Sequence, residues 1–222
     1  MQLNPIITGS TGMIGKGLLL ECLEDPNIDR ILVINRHPLE IRHEKLKEII
    51  HNDFFDLTSI KEELKDYSIC YFCLGISAAG LTREVYTHIT HDLTLSFAKS
   101  LLAINPDITF CYISGAGTDS SEKGRVMWAR VKGRTENDLL ALGFKKAWML
   151  RPALILPRKG VRSRTRGYNI IYTILKPFYP LLKYLKKYVT DTERLGRAMI
   201  RLGLEGFERK ILENTDLDKL ID

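Results

Sequence analysis

Three glycines, Gly9, Gly12 and Gly15, recur at every third position in "TGSTGMIG". They follow the apolar run "PIIT" and precede a helix-like stretch, the layout of a turn between a first strand and a first helix. Such a turn can cradle a pyrophosphate. Gly9 permits the tight bend, Gly12 lets backbone approach the anion, and Gly15 lets the helix pack closely on the strand. The helix N-terminus then offers unpaired N–H groups and a positive dipole end. On this reading Gly9, Ser10, Thr11, Gly12, Met13 and Ile14 lie against the ligand, with Ser10 and Thr11 as hydroxyl donors. A plain tight turn is the alternative.

The ends of the next strand-like runs carry the supporting chemistry. "VINRHP" places Asn35 and Arg36 where NAD-binding sheets usually hold an acid for the ribose 2′-hydroxyl, and no carboxylate follows until Glu40. An arginine there suits a 2′-phosphate, so the expected cofactor is NADP. "HNDFFDL" places Asp53 where it can accept from an adenine amino group, with Phe54 flanking the ring; a turn-capping Asp53 is the competing reading. In "FCLG", Leu74 and Gly75 end a fourth run, where a glycine lets the chain pass close to the cofactor ribose.

These positions need a scaffold. Six short runs, "PIIT", "RILVIN", "KEIIHN", "SICYFCL", "DITFCYIS" and "KAWMLRP", read as strands. Helical spacing fills 15–24, 59–65, 82–104 and 125–142 between them. The alternation predicts an α/β fold, a Rossmann-like doubly wound parallel sheet in the order 3-2-1-4-5-6, with the cofactor at its switch point. Pro5 can only be the first residue of its strand, which must therefore be short. Residues 1–156 form the expected NADP-binding Rossmann domain. Residues 157–222 are expected as a C-terminal cap and closing helix of the same compact unit, over the carboxyl edge of the sheet. In that part Thr190 and Glu193 have capping-box spacing, and Gly203 or Gly206 can end the helix.

Composition narrows the class. The 222 residues are 45% hydrophobic, enough for one sizeable core. No run approaches the roughly 18 apolar residues of a membrane span. Met1 leads almost directly into the first strand-like run without a secretory layout, so the expected location is cytosolic. Cys70 and Cys73 form a CxxC by count, but on a strand residues three apart face opposite sides, which argues for buried thiols rather than a dithiol or metal pair; no metal site is expected. The net charge of +6 is concentrated in "RKGVRSRTR", 158–166, with five basic residues, followed by "KYLKKY". Such runs are solvated surface, or they receive a phosphate-bearing ligand or acidic lipid. No nucleic-acid reading element accompanies them. The basic loop is expected to be mobile without ligand. The helices at 82–104 and 125–142 either pack on a second subunit or face solvent.

In order and spacing, "TGSTGMIG", "NR", "DFFDL", "FCLG", "ISGAGTDS", "RVKGRTENDLLALGF" and "LRPALIL" resemble the atypical short-chain dehydrogenase/reductase superfamily over residues 3–205. The nearest resemblance is to the oxidoreductase-like group that includes the human Tat-interacting metastasis suppressor, often labelled sugar-nucleotide epimerase-like. The resemblance implies a catalytic Ser, Tyr and Lys. Ser114 and Lys132 match, and Trp128 stands in the tyrosine's slot. An indole N–H donates but does not titrate near neutral pH, so it cannot serve as general acid and base. Lys132 also holds the nicotinamide ribose in this scheme. Two functions follow: an NADP(H)-dependent oxidoreductase on an unidentified small molecule, with Tyr168, Tyr172 or a water held by Ser114 replacing the phenol, or a non-catalytic NADP(H)-sensing protein acting through a partner. Isomerisation of a nucleotide sugar is a third reading, by fold analogy alone.

Overall fold

A computed structural model describes residues 2–161 and 188–221. Its frame is a parallel sheet of seven strands among the described residues, ordered β3-β2-β1-β4-β5-β6-β9. The strands are β1 (Pro5–Thr8), β2 (Ile31–Asn35), β3 (Leu46–Ile50), β4 (Ile69–Phe72), β5 (Thr109–Ile113), β6 (Ala147–Arg151) and β9 (Ile211–Glu213). The first six are those expected, in the expected order. Pro5 is indeed the first residue of a four-residue strand, paired with Ile69. A smaller sheet pairs β7 (Leu154–Leu156) with β8 (Val189–Asp191).

Alternate strand residues feed opposite faces, as the two-residue period requires. Ile7, Val33, Tyr71, Cys111 and Leu150 enter one core, under helices α1 (Met13–Glu24) and α5 (Thr192–Glu205). Ile6, Leu32, Ile34, Phe72 and Phe110 enter the other, under α3 (Leu93–Ile104) and α4 (Met127–Ala141). The CxxC pair obeys the same rule: Cys70 belongs to the second core, while Cys73 packs against the first.

Several elements depart from the sequence reading. The stretch at 59–65 is a 3-10 helix, Thr58–Leu64. The single helix expected at 82–104 is α2 (Arg83–Thr87), a π turn (His88–Asp92) and α3. Inside the π turn both His91 ring nitrogens lie 2.7 Å from carboxylates, of Asp92 and of Asp138 on α4. The N-cap of α5 is Asp191, whose Oδ1 accepts from the Arg194 N–H, so Thr190 and Glu193 form no capping box; Gly206 ends the helix. Gly203 instead lies inside α5, where a Cβ would meet the Tyr71 hydroxyl at 2.6 Å.

The described part of the expected cap is also built differently. Helix α5 lies beside α1 on the sheet face, with the Tyr71 hydroxyl donating to the Met199 carbonyl. Strand β9 then extends the sheet, and α6 (Asn214–Lys219) follows it. The aromatic stretch with Tyr168, Tyr172, Pro177 and Pro180, and residues 162–166 of the basic run, lie outside the described residues. The start of that run is anchored: the Lys159 ammonium pairs with Glu21 and Glu24, and the Arg158 N–H donates to Thr192 Oγ1.

Candidate functional site

A cleft runs along the carboxyl ends of β1, β2, β4 and β5, where an open α/β sheet binds ligands. It has two contiguous halves of about 310 and 420 Å³ that share Gly12, Cys73, Leu74, Gly75, Ile76 and Ser77.

The first half is the cradle. Gly9 adopts φ +67°, and the Gly12 N–H donates to its carbonyl at 2.8 Å, closing the turn before α1. A Cβ on Gly9 would meet the Cys73 carbonyl at 2.7 Å, and one on Gly15 would meet the Gly9 carbonyl at 2.4 Å. No larger residue fits at either position without moving backbone. At Gly75 a Cβ would meet nothing within 4 Å, so the chain there borders open cleft. Gly9, Thr11, Gly12, Asn35, Arg36, Phe54, Leu74 and Gly75 all line this half. Met13 and Ile14 line the second half instead.

Two expected ligand contacts are otherwise engaged. Ser10 is fully buried, and its hydroxyl donates to Asn35 Oδ1 at 2.8 Å rather than facing the cleft. Asp53 is exposed and absent from the lining; its Oδ1 accepts from the Phe55 N–H at 2.9 Å, the turn-capping role, and Asn52 lines the cleft in its place.

Glu48, which the sequence reading missed, holds the far end. Asn35 donates through Nδ2 to Glu48 Oε1 at 2.8 Å, and the Leu39 N–H donates to the same carboxylate. Glu48, on β3, therefore pins both the end of β2 and the loop after it. Arg36 and His37, on that loop, face the cleft and are exposed. Among the described residues Arg36 has no ion-pair or hydrogen-bond partner.

The second half reaches Ser114, at the end of β5, and Lys132 on α4. Helix α4 can approach because Gly133 lacks a Cβ, which would otherwise overlap the Asp119 carbonyl. The Lys132 ammonium donates to the Ser114 carbonyl, and burial pulls its pKa down to about 8, against an opposing pull from Glu136. The Ser114 hydroxyl is turned inward. It lies 2.5 Å from Glu136 Oε1 and 3.0 Å from the Leu150 carbonyl. Glu136 is fully buried and held by Arg151, whose guanidinium also reaches Glu213 and Ser120. This ion pair, missed in the sequence, ties α4 to β6 and occupies the serine. Trp128 sits in the first turn of α4, four residues before Lys132. Its ring packs on the loop after β5, with Cη2 3.4 Å from where a Gly117 Cβ would stand, and it lines neither half of the cleft.

Known folds match this arrangement. A short-chain dehydrogenase/reductase from Saccharomyces cerevisiae superposes with a TM-score of 0.69 at 13% identity, covering 99% of this chain and 98% of its own. The enzyme WbmF of Bordetella bronchiseptica, solved with NAD+, gives 0.68 at 13% identity, covering 99% and 76%. The fold is thus the Rossmann-like fold of dehydrogenases and nicotinamide-dependent epimerases. No family model matches the chain. Among curated proteins, FMP52 of Candida glabrata is 26% identical over 92% of this chain and 86% of its own length. FMP52-2 of Scheffersomyces stipitis is 31% identical over 92% and 89%. Both are named as mitochondrial proteins, which overturns the cytosolic location expected from the sequence. With near full-length coverage at that identity, the chain belongs to the FMP52 family.

Proposed function

We propose that the chain binds NADP(H) along this cleft and acts as an oxidoreductase of the short-chain dehydrogenase/reductase type on a small molecule, in the mitochondrion. Arg36 carries the reading. It borders the cradle without a partner among the described residues, while the acid that would favour a free 2′-hydroxyl is replaced by Asn35, itself bound to Glu48. A guanidinium left free at that point favours a phosphate dianion. The pyrophosphate falls to the backbone at Gly9–Gly12 and the N-terminus of α1. Lys132 holds the nicotinamide ribose. When bound, the cofactor supplies or accepts hydride.

Calorimetry with NADPH and NADH tests this on the wild type and Arg36→Ala. The wild type should prefer NADPH, and the variant should lose about tenfold or more of that preference, the worth of a charged hydrogen bond. Equal affinities in the wild type reject NADP specificity.

The inward Ser114 hydroxyl, with Trp128 in place of the phenol, favours a second reading, a cofactor-sensing protein without turnover. NADPH binding without NADPH oxidation across generic aldehydes and ketones selects it.

A further inference from the structure

We propose that the second half of the cleft takes an uncharged, predominantly apolar carbonyl compound or alcohol, and not a nucleotide sugar. This inference rests on the placement of the cofactor along the cleft, its adenine end in the first half and its nicotinamide ribose at Lys132. The walls beside Ser114 and Lys132 are chiefly aliphatic: Ile14, Ile76, Ile113, Pro152, Leu154 and Ile155 all face this space. Two of them are unusually open for their type, Leu154 at 38% and Ile76 at 37% exposure. Aliphatic side chains left open inside a concave site gain free energy when an apolar ligand covers them.

The polar groups of this half are partly engaged within the protein. The Ser114 hydroxyl is bound to Glu136 and the Lys132 ammonium to the Ser114 carbonyl. The guanidinium of Arg151, behind Ser114, is consumed by Glu136, Glu213 and Ser120. Ser77 Oγ accepts from the Ala79 N–H. Among the described lining residues no arginine is free for a diphosphate, and no carboxylate faces a run of sugar hydroxyls. Among the described lining residues the polar capacity left over is small, two N–H of Lys132 and the Ser77 O–H, so the phosphates and hydroxyls of a nucleotide sugar would find few partners there. An alkyl or aryl chain loses nothing.

Calorimetric titration of 2-decanone and of UDP-glucose tests this, into the protein alone and into the protein saturated with NADPH. The variants are Leu154→Asp, which puts a charge on the apolar wall, and Leu154→Met, which keeps the wall apolar. The expected result is 2-decanone binding in at least one of the two states, weakened tenfold or more by Leu154→Asp and retained by Leu154→Met. UDP-glucose should bind at least tenfold more weakly than 2-decanone. Thermal melts and NADPH affinity on the same variants read the integrity of the fold and of the first half. The inference is overturned if 2-decanone binds in neither state, if Leu154→Asp leaves its affinity unchanged in a folded protein, or if UDP-glucose binds more tightly. A protein that takes 2-decanone with this dependence but shows no NADPH binding retains the apolar site and loses the cofactor assignment, so the two failures are distinct.

Discussion

Lys132 shows how one side chain is tuned by its position. It stands on α4 with its ammonium held against the Ser114 carbonyl, and burial lowers its pKa from 10.5 to about 8. Between those values the unfolded chain keeps a proton that the folded chain has released. The Lys132 contribution to stability therefore rises with pH across that window, and is flat below it. Against Lys132→Met, the melting temperature of the wild type should gain steadily from about pH 8 to 10.5; a difference that does not change there rejects the shifted lysine. The sequence points to Arg36 through the end of its strand and to Lys132 through the family resemblance, and both line the cleft. Ser10, Asp53 and Ser114 show why the rest was not legible. Their side chains could face a ligand or a neighbour, and the neighbours that captured Ser10 and Ser114, Asn35 and Glu136, lie 25 and 22 residues away.

At the scale of elements, the Glu136–Arg151 pair is the bolt between α4 and β6. Glu136 is fully buried and Arg151 only 11% exposed, so removing one partner strands a charge in the interior. Glu136→Ala should cost about 3–5 kcal/mol in urea unfolding. The exposed pair of Lys47 and Glu63 provides the contrast: Glu63→Ala should cost under about 1 kcal/mol in the same assay. A similar loss in both variants would mean that the buried pair holds nothing special. The six strands of the first 151 residues were legible from apolar runs bounded by turn residues. Strand β9 was not, because "ILE" is three residues long and its partner β6 lies some 60 positions back. The π turn was equally hidden, since its helical spacing on either side is unbroken.

Across the whole molecule, the first helix and α5 close on each other through missing side chains. A Cβ on Gly17 of α1 would meet Thr192 Cβ at 2.7 Å, and one on Gly196 of α5 would meet Glu21 Cγ at 2.8 Å. Gly17→Val should therefore push the helices apart and cost about 1–3 kcal/mol, read as a lowered melting temperature. A melt equal to the wild type would show that the contact yields freely. The same closure has a consequence for biosynthesis. The apolar face of α1 is made early, but α5, which covers it, emerges about 170 residues later, on the order of ten to thirty seconds at ordinary translation rates. Through that interval the nascent chain carries an uncovered core face on the ribosome, a binding site for chaperones that vanishes once α5 docks.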